Sequence, residues 1–125
     1  KPIPVFNNGN MKRDFTYISD IINAVDKILF NAKYKKKLKN KKIPFETFNL
    51  ARSKPEKLLT FIKIIEKNLN KKAMINYLPM QKGDALDTFG INKKIKNEFK
   101  INFEVNLNEG ISKFILWYKK YYKLK

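Results

Sequence analysis

With 125 residues, 28 basic and 11 acidic side chains, and a formal charge of +17, the chain has the length of one domain with a buried core and favours an anionic partner. It contains no cysteine and no histidine, which excludes disulfides, thiolate or imidazole metal sites, and Ser-His catalysis. No apolar run approaches the roughly 20 residues of a spanning helix and no signal-peptide pattern opens the chain, so a cytoplasmic location with no membrane and no metal partner is expected.

The first residue is Lys1 rather than Met, which suggests a fragment or a processed product. Residues 2–6, PIPVF, read as a short strand with prolines at edge-tolerant positions, and NNGN as a turn. DFTYI (14–18) reads as a second strand. From Ser19, the expected cap, Ile21, Ile22, Val25, Ile28 and Leu29 recur at helical spacing to about Ala32, predicting an amphipathic helix with one buried face. Residues 33–42 hold seven lysines and no acid, a pattern that predicts a solvated loop or a frayed helix end and makes this stretch the candidate internal linker.

FETFNL (45–50) is strand-like. Ser53-Lys54-Pro55-Glu56 matches a capping box with proline in the first turn, opening a helix with Leu58, Leu59, Ile62, Ile65 and Leu69 on its apolar face. AMINYL (73–78) predicts a strand and PMQKGD (79–84) a loop. A short helix is expected over 92–99, and a last one from Asn106 or Asn108, where Asn106 and Glu109 form an Asn-x-x-Glu box. The order is that of a mixed α and β chain.

Three constellations could carry chemistry. Arg13, just after a turn, offers a rigid fork of donors suited to phosphate oxygens; the competing reading pairs it with Asp14 or Asp20. In the loop Gln81-Lys82-Gly83-Asp84, an amide can donate to phosphate, a carboxylate can accept from sugar hydroxyls, and a glycine permits backbone approach. Phe6, Phe15 and Tyr17 could stack on a base, although strand aromatics usually serve the core, and core packing is also the first expectation for Trp117, Tyr118, Tyr121 and Tyr122. The Tyr121 and Lys125 spacing is one that a lysine-rich tail produces by chance and is set aside. The four glycines, at 9, 83, 90 and 110, are too scattered for a dinucleotide or phosphate loop.

KPIPVFNNGNMKRDFTYISDIINAV, FNLARSKPEKLLTFI, LPMQKGD and NEGISKFILWYKKYY resemble, in this order, segments of the extended short-chain dehydrogenase/reductases, the NAD-dependent epimerase/dehydratase family. The Met-Gln-x-Gly-Asp form is most similar to that of the UDP-glucuronate 4-epimerases. The resemblance implies an α/β family in which this chain is the mixed α+β C-terminal part, without the Rossmann half. Residues 1–125 would be a nucleotide-sugar-binding domain, with 33–42 a lysine-rich loop and the NAD-binding domain absent. It implies the substrate-binding portion of a UDP-sugar 4-epimerase of the UDP-glucuronate/UDP-galacturonate type. That portion would be inactive alone, since the family's catalytic Tyr and Lys and its NAD loop lie in the other half.

Arg13 would contact the UDP diphosphate, Val5 and Phe6 would flank the uracil, and Gln81 and Asp84 would reach the diphosphate and ribose. NAD would serve the complete enzyme and not be bound by this chain alone. Departures from the family pattern are Ala51-Arg52 for Gly-Asn, Lys82 for proline and Gly90-Ile91 for Ala-Asp, with Arg52 either on phosphate or in solvent. A 4,6-dehydratase of the same family is the near alternative, and a basic module binding RNA or an anionic surface the distant one, nucleic acid being the less expected partner. The strand at 45–50 would once have joined a larger sheet, leaving a face for self-association.

Overall fold

A computed structural model describes residues 1–124, so Lys125 of the Tyr121 and Lys125 pair lies outside the described residues. Among the described residues the chain forms four short strands and five helices, with more helix than sheet. β1 (Ile3–Val5) runs parallel to β4 (Ile75–Tyr77), in the register Ile3 to Ile75 and Val5 to Tyr77. Pro4 has no N–H to give a second neighbour, which suits a strand paired on one side. β2 (Lys12–Arg13) pairs antiparallel with β3 (Glu56–Lys57), setting Arg13 opposite Glu56.

Between β1 and β2 a 3-10 turn spans Phe6–Gly9, in which Asn7 and Asn8 hold φ of 49° and 50°. Asparagine tolerates this left-handed region better than most side chains. Gly9 adds a φ of 78°, and a Cβ there would lie 2.5 Å from Leu59 Cδ2, so glycine is needed on both counts.

Residues 14–17 do not form the expected strand. The ladder lies two residues earlier: the Asp14 N–H goes to the Thr88 hydroxyl instead of a strand carbonyl, and the Asp14 and Thr16 side chains accept from backbone N–H groups of neighbouring segments. α1 (Ile18–Leu29) therefore starts at Ile18, with Tyr17 in the cap position and Ser19 inside the helix, not capping it. Its expected single buried face is only partly buried. Ala24, with Ile21 and Ile28, packs against Tyr34, Ile95, Phe99, Ile101 and Phe103, whereas Ile18, Ile22, Val25 and Leu29 are exposed.

The lysine-rich stretch is neither a loop nor the frayed end of α1 but a helix of its own: α2 spans Ala32–Lys39. Asn31 Oδ1 accepts from the Tyr34 N–H at 2.8 Å, capping the helix. Tyr34 and Leu38, four apart, turn one stripe into the core while the lysines face outward. Carboxylates across the gap relieve the repulsion, Lys37 pairing with Glu98 and Lys41 with Glu46.

Residues 45–50 form no strand either; Phe48 meets Phe99 edge-on at 5.4 Å and fills the core as a side chain from an irregular segment. The capping box at 53–56 is also overturned. Ser53 adopts φ 60° and bonds to Gly90, Glu56 belongs to β3, and α3 (Leu58–Leu69) begins after it. α4 (Lys93–Phe99) and α5 (Leu107–Tyr121) match their expected places, and Asn106 Oδ1 accepts from the Glu109 N–H at 3.0 Å. Leu107, Ile111 and Ile115 of α5 form a second core with Phe15 and with Phe61, Ile64 and Ile65 of α3. Buried Asp20 ties α1 to the approach to α5 by accepting from the Val105 N–H at 3.0 Å.

Candidate functional site

Parallel pairing puts the C-terminal ends of β1 and β4 side by side, so the turn after Val5 and the loop after Tyr77 leave in the same direction. The Leu78 N–H donates to the Val5 carbonyl at 2.9 Å, and the Asn8 N–H to the Leu78 carbonyl at 3.2 Å, knitting the two exits together. In α/β proteins the carboxyl ends of parallel strands are where ligands gather. Val5 itself is buried, leaving its backbone and the half-buried ring of Phe6 at this end.

Arg13 lies on β2, against the segment that follows this loop. The Lys12 N–H donates to the Leu86 carbonyl at 3.1 Å and the Thr88 N–H to the Lys12 carbonyl at 3.2 Å, drawing the segment 84–88 against β2. The guanidinium of Arg13 is then held from three directions. Nη1 donates to the Lys12 carbonyl at 2.9 Å and the Leu86 carbonyl at 3.2 Å, and Nη2 to Asp84 Oδ1 at 2.8 Å. Neither Asp14 nor Asp20, the partners the competing reading assigned, is its partner. The structure thus brings Arg13 and Asp84 into contact. Gln81 stands on the same loop, its carbonyl accepting from the Asp84 N–H at 3.2 Å while its side chain is exposed.

Asp14 is the hub beneath Arg13, and its role was not read from the sequence. Its Oδ2 accepts from the Ser53 N–H and the Gly90 N–H, each at 3.0 Å, and its Oδ1 from the Lys54 N–H at 3.3 Å. One carboxylate so joins the strand bearing Arg13 to the segments before β3 and α4; the only sequence signal was an acid directly after the arginine. Lys12 and Asp87 add a further pair at 3.6 Å. Arg52, expected on phosphate or in solvent, is instead largely buried, with Nη1 3.1 Å from Glu56 Oε1.

The aromatics divide differently from expectation. Phe15 stacks on Phe61 at 4.7 Å and Tyr17 packs against Gly110, so both serve the core around α3 and α5. Trp117, Tyr118, Tyr121 and Tyr122, expected to be core, are exposed and pack on one another along α5, with Trp117 and Tyr121 stacked at 5.3 Å.

Chemically the site can present a fixed guanidinium with N–H groups to spare. Five donors less the three used leave two. The Arg13 and Asp84 pair is partly exposed, worth about 0.2–1 kcal/mol. A dinucleotide cofactor does not fit the residues present. Cβ atoms would meet Leu59 at Gly9, Ala51 at Gly90 and Tyr17 at Gly110, so three glycines are used in packing, and Gly83 alone makes no cradle. Among the described residues no cluster of three or more acidic side chains is placed to hold a metal ion.

No protein-family model matches the chain. It is 42% identical over 118 residues to an uncharacterized protein of Methanocaldococcus jannaschii, covering 94% of this chain and 33% of that protein. It is 33% identical over 129 residues to UDP-glucuronate 4-epimerase 1 of Arabidopsis thaliana, covering 98% of this chain and 30% of the relative. Its fold superposes with a TM-score of 0.80 and 27% identity on the crystal structure of UDP-glucuronic acid 4-epimerase from Bacillus cereus in complex with UDP-glucuronic acid and NAD, covering 98% of this chain and 36% of that one. The chain spans about a third of the length of the curated relatives it matches. Over nearly its whole length it is thus related, in sequence and in fold, to about a third of the UDP-glucuronate 4-epimerases of the NAD-dependent short-chain dehydrogenase/reductase family.

Proposed function

We propose that this chain is the substrate-binding portion of an NAD-dependent UDP-sugar 4-epimerase, with Arg13 holding the UDP diphosphate. The observation that carries the reading is the guanidinium of Arg13, fixed by two carbonyls and by Asp84 of the segment that follows β4. Arg13 supplies charge and direction to the diphosphate through its two remaining N–H groups. Asp84, keeping its bond to Nη2 through Oδ1, accepts from the ribose hydroxyls through Oδ2, and Gln81 donates to a phosphate oxygen. The backbone at Val5 and the ring of Phe6 form the flat wall for uracil. NAD supplies hydride transfer in the complete enzyme; the residues here orient the sugar nucleotide and take no part in that transfer.

Calorimetric titration of UDP and UDP-glucuronate into the chain tests the assignment. The expected result is saturable binding that persists at 0.5 M salt, weakens at least tenfold in Arg13→Ala and weakens less in Asp84→Asn. Binding that ignores Arg13→Ala, or that collapses with salt as nonspecific attraction to a +17 surface does, would overturn it.

A further inference from the structure

The lysine-rich stretch has no part in the Arg13 site and lies outside the four segments that carry the family resemblance. Folding as α2 turns it into a fixed comb of charge. Tyr34 meets Phe99 edge-on at 4.8 Å and Phe48 at 5.8 Å, and its hydroxyl donates to Glu46 Oε2 at 3.1 Å, so Tyr34 and Leu38 pin one side of the helix to the core. At about 100° per residue, Lys36 and Lys39 lie on the side turned away from that stripe, with Lys33 and Lys35 at its flanks. Lys37 and Lys41 have carboxylate partners. Lys33, Lys35, Lys36, Lys39 and Lys42 form no ion pair among the described residues, and all five are exposed.

An aromatic ring stands at each end of this run. Phe30, at the C-terminus of α1, is 75% exposed, with its ring centroid 5.9 Å from Lys35 Nζ. Phe45 is 69% exposed and precedes Glu46, which the Lys41 ammonium and the Tyr34 hydroxyl hold against α2. Each class of anion would meet this surface differently. A free phosphate needs converging donors, whereas Lys33 to Lys39 are spread along about 9 Å of helix, and Asn31 already takes the N–H groups of Tyr34 and Lys35. Stable attachment to a bilayer takes apolar insertion beside the charge, and the lysine face carries no large apolar side chain. A duplex keeps its bases stacked inside, away from Phe30 and Phe45. A single strand offers repeated charge to the amines and open base faces to the rings.

We propose that α2, together with Phe30 and Phe45, binds single-stranded nucleic acid, the five free lysines on its phosphates and the two rings under unstacked bases. The proposal is independent of the UDP reading, which concerns Arg13 and Asp84.

Fluorescence anisotropy of a labelled oligouridine of about 20 nucleotides, longer than one such site, tests this on the full chain over a salt series. Five phosphate contacts give a slope of log affinity against log salt of about −3.5. Lys35→Gln/Lys36→Gln/Lys39→Gln should weaken binding at least tenfold at about 50 mM salt and make that slope shallower by about 2. Phe30→Ala/Phe45→Ala should weaken it at least fivefold and leave the slope unchanged. Lys119→Gln/Lys120→Gln/Lys123→Gln, which removes the same charge from α5 and the residues after it, should change affinity less than twofold. Circular dichroism establishes that the variants fold; the three α2 lysines and both phenylalanines are exposed, so none of these changes opens the core. Equal loss in the two lysine triples would reduce the binding to attraction by net charge. Equal affinity for a duplex of the same length would remove the role of the rings, and displacement of the strand by UDP would move it to Arg13. Each of these results would overturn the proposal. Phosphatidylserine vesicles bound through the same lysines more tightly than the strand would assign the face to a membrane and likewise overturn it.

Discussion

Asp14→Ala removes the carboxylate that joins three segments beneath Arg13. Two of the lost hydrogen bonds, from the Ser53 and Gly90 N–H groups, are partly buried, and the third, from Lys54, is exposed and longer at 3.3 Å. At about 1.5 kcal/mol for each of the two partly buried bonds to a charged acceptor, and little for the third, the loss is about 3 kcal/mol. Urea unfolding followed by circular dichroism, with a slope of about 2 kcal/mol per M, then shows a midpoint lower by about 1.5 M.

Asp14→Asn separates this reasoning from a simple loss of charge. Its amide oxygen can stand where Oδ2 stands and keep both 3.0 Å bonds, while its NH2 faces only the exposed Lys54 N–H. The asparagine variant should therefore lose about 1 kcal/mol. A midpoint shift below about 0.5 M in Asp14→Ala, or equal shifts in the two variants, would refute the hub.

Further measurements probe the core and the turns. Glu46 is held down to about 2, first by the hydrogen bond from Lys41, then by those from Lys94 and Tyr34. Because its folded value lies below the ordinary carboxylate value of 4.5, its contribution is fully present above about pH 4.5 and is lost as pH falls toward 2. Glu46→Gln should flatten the stability profile in that window and leave its shape unchanged between pH 6 and 8. Tyr34, pushed up to about 12 by burial and then by its bond to Glu46, should be the last tyrosine to ionise in a spectrophotometric titration, and Tyr34→Phe should remove that late step. Gly90→Ala sets a Cβ 2.4 Å from Ala51 Cβ and should cost about 1–3 kcal/mol in urea unfolding. Gly83→Ala meets no atom within 4 Å and costs only its left-handed φ of 82°, about 1 kcal/mol.

What could be read from the sequence followed how locally each feature is determined. α4, α5 and the body of α3 carry apolar positions at helical spacing, and Ile95, Phe99, Ile111, Ile115 and Ile62 are buried as that pattern expects, whereas Leu69, Phe114 and Tyr118 are exposed. The cap at Asn106 was legible because the donor it satisfies lies three residues away. The box at Ser53 had equally good local credentials and failed because Asp14 and Gly90, some 40 residues distant, claimed Ser53 first. The lysine run misled for a similar reason. Charge repulsion is a property of the run itself, whereas of the two carboxylates that offset it Glu46 lies just past the run and Glu98 comes from about 60 residues away.

At the site, a fork of donors at Arg13 and an acceptor at Asp84 were visible separately from residue type and turn context. That they touch depends on the 84–88 segment lying against β2, a pairing between residues more than 70 positions apart. Spacing carries no trace of such a pairing, and the resemblance to a family of known arrangement was what put the two residues on one ligand. The exposure of Trp117, Tyr121 and Tyr122 was misjudged because helical spacing shows which side chains share a face but not whether another element covers it.

The pairing of β1 with β4 has a consequence for how the site is born on the ribosome. Ile3 waits for Ile75, 72 residues later, and Arg13 waits a similar distance for Asp84. At a synthesis rate of about 5–20 residues per second, the halves of the site spend roughly 4–15 s apart, long after α1 and α2 can have formed. During that interval the strand at Ile3–Val5 has no ladder and Arg13 has no carboxylate, so the Arg13 and Asp84 pair matures well after Arg13 itself is made, though before α4 and α5. Slowing translation between residues 30 and 70 would lengthen that exposure without changing any contact of the finished protein.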